Sequence, residues 1–241
     1  NKKADLILAS NVFAHSDNLL EMAETMLKIL SNKGTIIIEV QYLLKMFKDL
    51  TFDNIYHEHY NYWCLTSLKN LFNKLNAIIY DVEEIDTHGG SIRIYVSKNI
   101  KIKTKISVKK LLKKEEKFGM KSFQTYKSFG KKIYEIKQKT IKNINKLKLK
   151  NKNIIGFGAP AKATTLLNFF GISDKLDYVV EDNNLKHNKY IPGTNLKIFK
   201  KSIVKDKDSA ILVLAWNFFN DIKKNNKNLS NNFINIKNLQ K

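Results

Sequence analysis

Cysteine is almost missing from this 241-residue chain. Cys64 stands alone, which excludes an intrachain disulfide and any thiolate metal cluster built by the chain by itself. Long apolar runs are missing too: stretches such as residues 210–216 fall far short of the roughly 18 residues that cross a bilayer. No charged, apolar, small-residue signal opens the chain, so a cytosolic protein with no membrane partner is expected. Arginine is scarce. Of 43 basic residues only Arg93 carries a guanidinium, the group that dominates base and phosphate recognition. The excess of lysine, asparagine and isoleucine therefore reads as base-composition bias, and nucleic acid is not the expected partner. The text enters mid-strand at Asn1, which predicts a fragment whose N-terminal part is absent.

What is present is globular in composition, with 43% hydrophobic and 11% aromatic residues. The net charge of +21 is concentrated: residues 101–153 hold 19 lysines against Glu115, Glu116 and Glu135, a net of +16. Phe118, Tyr126, Phe129, Ile133, Ile136, Ile141, Ile144 and Leu147 recur there at helical spacing, the stripe of one long amphipathic helix. Its lysine face reads as solvated, with a polyanion-binding face as the other reading.

Before that helix, residues 4–10 form an apolar run expected of a buried parallel strand. A helix over 17–30 is predicted to stop at Asn32, Lys33 and Gly34, followed by a buried strand at 35–40. Helix 66–75, strand 77–82 and the alternating strand 91–96 follow, and this alternation predicts a mostly parallel α/β sheet. From about Asn151 a strand runs into Gly156-Phe157-Gly158-Ala159-Pro160-Ala161-Lys162 and a helix through Phe169. Strands at 176–180 and 210–215 complete what reads as the opening of a Rossmann-like unit.

The candidate chemistry sits at strand ends and loops. Four of the five histidines, His15, His57, His59 and His88, lie in the first 90 residues. In Tyr56-His57-Glu58-His59-Tyr60 a histidine, a carboxylate and a phenol lie together, as an acid–base site needs. Surface polar residues, or a zinc pair made by His57 and His59, are the alternatives. In an extended segment Tyr56, Glu58 and Tyr60 would share one face and the two histidines the other. His88-Gly89-Gly90 allows close ligand approach or is a plain turn. Arg93, on the strand leaving it, either holds a carboxylate or phosphate or makes a structural ion pair. The turn at 156–161, with Glu181 or Asp182 about 25 residues on, fits a relaxed dinucleotide fingerprint or merely lets helix and strand pack closely.

Four stretches taken together resemble a known family: Phe52-Asp53-Asn54-Ile55-Tyr56-His57-Glu58-His59, Thr87-His88-Gly89-Gly90-Ser91-Ile92-Arg93, Gly158-Ala159-Pro160-Ala161-Lys162 and Pro192-Gly193-Thr194. In order and spacing they are similar to the sugar C-methyltransferases, S-adenosylmethionine-dependent enzymes that methylate a carbon of nucleotide-linked 4-keto-deoxysugars. The one departure noted is Ala163, where many relatives carry glycine.

The resemblance implies an α/β fold with a partial Rossmann-like methyltransferase domain, a long helix and a second Rossmann-like C-terminal domain, at residues 1–100, 101–150 and 151–241. It places the family's zinc in an N-terminal lobe and the main S-adenosylmethionine loop after the first methyltransferase strand, both outside this chain. It further implies His59 as the general base, Tyr56 as competing base or proton relay, Glu58 as electrostatic partner and His15 as a contact near the reacting carbon. His57, His88, Gly89, Gly90 and Arg93 would line the sugar-nucleotide cleft, Lys162 and Lys186 would meet its pyrophosphate, and Asn11 and Val12 would border the methyl donor. It argues against NAD at the 156–161 turn. An NAD(P)-binding Rossmann enzyme and a basic helix that binds nucleic acid are the competing readings.

Overall fold

A computed structural model describes residues 2–150 and 153–241, and of His88 the backbone only. Asn151 and Lys152, where the sequence places the start of the second unit, lie outside the described residues. The chain divides into two compact units. One comprises the residues up to Phe52 together with His57–Phe129, the other Asp53–Tyr56 together with Gly130–Lys241.

The first unit is built on four strands, β1 (Ala4–Ser10), β2 (Leu30–Gln41), β3 (Ile78–Ile85) and β4 (Ser91–Ser97), in the order β1-β2-β4-β3. β1 and β2 are parallel, while β4 lies antiparallel to both β2 and β3. Three of the four strands run one way, but β1–β2 is the one parallel pair, so the mostly parallel pairing expected from the strand–helix alternation does not hold in this sheet. Helices α1 (Leu19–Ile29), α2 (Leu43–Asp49), α3 (Leu65–Lys74) and α4 (Ile106–Phe118) complete it. Ile36 and Ile38 of β2 and Ile92, Ile94 and Val96 of β4 are fully buried with Ala23 of α1 and Leu65, Leu68 and Phe72 of α3. Apolar residues thus recur every second position on the central strands and every third or fourth on the helices, as each geometry requires.

Three local expectations are corrected. β1 stands at one end of the described strand order, and its Leu6 and Leu8 are 55% and 65% exposed where the apolar run predicts a buried strand. Helix α1 ends at Ile29, with Leu30 already extended at φ −65° and ψ 143°, so Asn32, Lys33 and Gly34 lie inside β2 and not in a helix cap. Gly34 is there because a Cβ would come within 2.8 Å of Leu30 Cδ1 and 3.0 Å of the Ala4 carbonyl oxygen, where β1 crowds the strand. The single long helix is two, α4 and α5 (Phe123–Lys150), separated at Gly119, whose φ of +84° and N–H bonds to the carbonyls of Glu115 and Glu116 close α4.

The second unit is a five-stranded, wholly parallel sheet: β5 (Ile154–Phe157), β6 (Tyr178–Val180), β7 (Ile198–Phe199), β8 (Ala210–Val213) and β9 (Asn232–Asn235), in the order β7-β6-β5-β8-β9. This is a Rossmann-like order, and its direction reverses between β5 and β8. Helices α6 (Ala161–Phe170) and α7 (Phe219–Asn225) belong to it. So does the latter part of α5, whose Tyr134 ring meets Phe169 at 5.8 Å and whose Asn143 donates to the carbonyl of Leu239 at 3.0 Å. Continuous apolar strands such as residues 210–213, buried on both faces, are what a covered parallel sheet demands. None of the helices is long and apolar enough to cross a membrane among the described residues.

Candidate active site

In the first unit β1 ends in a loop whose first residue, Asn11, adopts a left-handed φ of +56° and donates its N–H to the Glu39 carbonyl at 2.9 Å. Asparagine tolerates that conformation better than most residues. The turn carries Phe13 into the core and leaves Val12 and His15 exposed. Residues 60–61 are tied back to the same loop: the N–H groups of Tyr60 and Asn61 both donate to the Ala14 carbonyl, at 3.0 and 3.2 Å, and Asn61 Nδ2 donates to the Ser16 carbonyl at 2.7 Å. The result is a meeting of two histidines distant in sequence. The rings of His15 and His59 lie edge to face with centroids 4.9 Å apart, and Tyr62 flanks His59 at 6.4 Å.

Residues 56–58 form a bend and turn, not an extended strand, so the alternation of faces expected for an extended segment does not apply. His57 points outward, its side chain 86% exposed and 3.9 Å from the Glu58 carboxylate. Tyr56 is half-buried and belongs to the second compact unit.

Thr87–Gly89 forms a single 3-10 turn that leads through Gly90 into β4. Gly90 has φ +112°, and a Cβ there would stand 2.3 Å from Lys45 Cγ, so only glycine fits. Its carbonyl accepts the N–H of Tyr42 at 3.1 Å. Glu39, which the sequence did not single out, organises this end of the sheet. Its buried carboxylate accepts from the Thr87 hydroxyl at 2.9 Å and from Arg93 at 3.1 Å, while its backbone holds Asn11. Arg93 also reaches Glu83 at 3.4 Å. Its guanidinium is engaged in an ion-pair network, the second of the two readings open for it.

In the second unit the carboxyl ends of β5 and β8 lie at the strand-order switch, where open α/β sheets place their ligands. Gly158 has φ +91°, and a Cβ would come within 2.8 Å of Ala215 Cβ, so the close turn requires glycine. Ala159 donates its N–H to Glu181 Oε2 at 2.8 Å and its carbonyl accepts from Lys186 Nζ at 2.9 Å. Glu181 also takes the N–H groups of Asp182 and Asn183 at 2.8 and 3.1 Å. The acidic residue suited to a ribose is thus spent on backbone amides of the turn and its own strand end.

Lys162, the second residue of α6, differs from Lys186. Its ammonium is buried without a hydrogen-bond partner; burial lowers its proton affinity and the charge of Asp53 opposes that. It stands 5.3 Å from the centre of the Trp216 ring, and Lys237 stands 4.9 Å from the same ring. Trp216 Nε1 donates to Asp53 Oδ2 at 2.5 Å.

Two nucleotide-binding-type sheets, with polar groups gathered at their strand ends, define the class as Rossmann-like. Residues 1–80 match the family described as methyltransferase domain, and residues 86–235 match the C-methyltransferase C-terminal domain. The chain belongs to the C-methyltransferase family. It is similar to the C-methyltransferase NovU of Streptomyces niveus, with 28% identity over 232 residues that cover 95% of this chain and 55% of that protein. The chain thus spans about half the length of the curated relative it matches.

Proposed function

We propose that the protein containing this chain is an S-adenosylmethionine-dependent C-methyltransferase that acts on the carbon beside the keto group of a nucleotide-linked 4-keto-deoxysugar. The observation that carries the reading is the pairing of His15 and His59, 4.9 Å apart at the exposed end of β1, where open α/β sheets bind ligands. Family membership and the relative's name support the methyl transfer; the sugar substrate rests on the motif resemblance.

A carbon beside a ketone becomes nucleophilic only when its proton is removed, and the enolate must be stabilised as it forms. In this reading a neutral imidazole nitrogen of His59 takes the α-proton. The C–H electron pair becomes the enolate double bond, and negative charge develops on the keto oxygen. His15 is a second polar contact near the reacting carbon, Glu58 is the electrostatic partner of His59, and Tyr56 is the competing base or relay. S-adenosylmethionine, when bound, supplies an electrophilic methyl group on a sulfonium. The exposed Val12 and the left-handed Asn11 suit one border of its pocket, because this turn keeps the strand end open. Gly89, Gly90 and the backbone of His88 would shape the sugar cleft with His57, whereas Arg93 and Lys186 are already engaged, by Glu39 and by the Ala159 carbonyl.

Exchange in D₂O tests the base separately from methyl transfer. The full-length protein is incubated with a nucleotide-linked 4-keto-6-deoxysugar and loss of the α-proton signal is followed by NMR, with His59→Ala alongside. Exchange that disappears in the variant supports the reading. Equal exchange in both would remove His59 as base, and none in a wild type that binds the sugar nucleotide would refute α-proton removal.

A further inference from the structure

Asp53 is fully buried, and a carboxylate leaves water only where donors or charge compensate it. One oxygen has a donor, the indole N–H of Trp216 at 2.5 Å. The other oxygen has no hydrogen-bond partner, and nor has the ammonium of Lys162, whose charge Asp53 helps to maintain. The Trp216 ring is itself held, with Lys162 and Lys237 at 5.3 and 4.9 Å from its centre. So constrained an indole, in the turn after β8, spends its only polar group on Asp53.

The position of Asp53 in the chain gives that bond a purpose. Asp53–Tyr56 is a four-residue stretch whose contacts belong to the second compact unit. A weaker tie, from the Thr165 hydroxyl to the Ile55 carbonyl at 3.5 Å, serves the same stretch. The stretch ends on Tyr56 and continues directly into His57, Glu58 and His59.

We infer that Asp53 is a positioning residue for methyl transfer: its bond to Trp216 fixes the Asp53–Tyr56 stretch, and with it Tyr56, the competing base or proton relay of the proposed reaction. The inference rests on the function proposed above. Asp53 does not meet the reacting atoms; it acts through the backbone that carries them. A hydrogen bond to the indole is what it supplies, so a group that accepts without a charge should replace it.

The test uses the full-length protein and three variants. Trp216→Phe keeps an aromatic ring and removes the N–H; Asp53→Ala removes the acceptor; Asp53→Asn keeps an acceptor oxygen and removes the charge. Trp216→Phe and Asp53→Ala are expected to lower kcat and α-proton exchange about 100-fold, the scale of an ångström-sized misplacement, with KM for the methyl donor unchanged. Asp53→Asn should stay within about tenfold of wild type, since a neutral amide oxygen still accepts from the indole. Trp216 emission, taken as the difference from the same protein carrying Trp216→Phe, should shift in Asp53→Ala and not in Asp53→Asn. Should Asp53→Ala fail to fold, Trp216→Phe carries the test alone. Wild-type kcat in Trp216→Phe overturns the inference, as does a raised KM at constant kcat, or Asp53→Asn as impaired as Asp53→Ala. A wild type that neither exchanges nor methylates refutes the proposed function, and this inference with it. Variants at wild-type rates beside an active wild type refute the inference alone.

Discussion

Glu115 is the charged residue whose removal should cost the first unit most. It lies in a lysine-rich helix, yet it is fully buried. Its carboxylate accepts the N–H of Leu65 at 2.6 Å, the N–H of Thr66 at 2.8 Å and the Thr66 hydroxyl at 2.6 Å. These are the first-turn amides of α3, which no residue of their own helix can satisfy. A distant glutamate therefore caps the helix, with its charge at the positive end of the helix dipole. Truncation to alanine strands two amides, one of them fully buried, at about 1–3 kcal/mol each, and removes a favourable charge–dipole interaction of about 1 kcal/mol. Since such terms are not additive, a loss of about 3–5 kcal/mol is expected. Glu115→Gln, with one acceptor oxygen and an NH₂ facing the remaining donors, should lose about half as much. Urea unfolding followed by circular dichroism gives the global value, and hydrogen exchange at the α3 amides gives the local one. An alanine variant within about 1 kcal/mol of wild type, with α3 amides exchanging at the wild-type rate, would refute the capping role.

Two further outcomes follow from the geometry. Desolvation alone would raise the Asp81 pKa, but Lys105 Nζ and Ser107 Oγ, both at 2.6 Å, and the Val82 N–H at 2.9 Å hold it below the ordinary carboxylate value. Its contribution is therefore complete above the unfolded value and is lost as pH falls through the folded one; urea midpoints from about pH 6 to about pH 3 should fall less steeply in Asp81→Asn, and an unchanged slope would count against it. Gly158→Ala forces a side chain onto φ +91° and against Ala215, and should destabilise the second unit by about 2–4 kcal/mol in thermal unfolding, an outcome that a wild-type midpoint would exclude.

Much of the fold can be read along the chain because its information is local. Strand–helix alternation, the two-residue period of β4 and the continuous apolar run of β8 follow from which faces each element buries, and they place the elements to within a few residues. The motifs Tyr56-His57-Glu58-His59 and His88-Gly89-Gly90 mark the candidate site for a similar reason: a glycine at φ +112° against Lys45 leaves a sequence signature. What stayed hidden depends on partners far away in the chain. No period shows that Leu6 and Leu8 of β1 are exposed, that Gly34 sits inside β2 against Leu30 and Ala4 and not in a cap, or that Gly119 divides the basic helix.

The same division holds for individual polar residues. Sequence alone determined an α/β fold and a concentration of histidines in the first 90 residues. Only tertiary structure decided which of these groups are free for chemistry and which are consumed by the fold. Glu115, one of three acids among 19 lysines, resembles a solvated residue until α3 is placed beside it. Arg93 and Lys186 become occupied through Glu39 and Ala159, whereas Lys162 stays without a hydrogen-bond partner and Asp53 reaches Trp216. The physical reason is that burial and hydrogen-bond satisfaction belong to pairs brought together by folding, and a sequence pattern reports only one member of each pair.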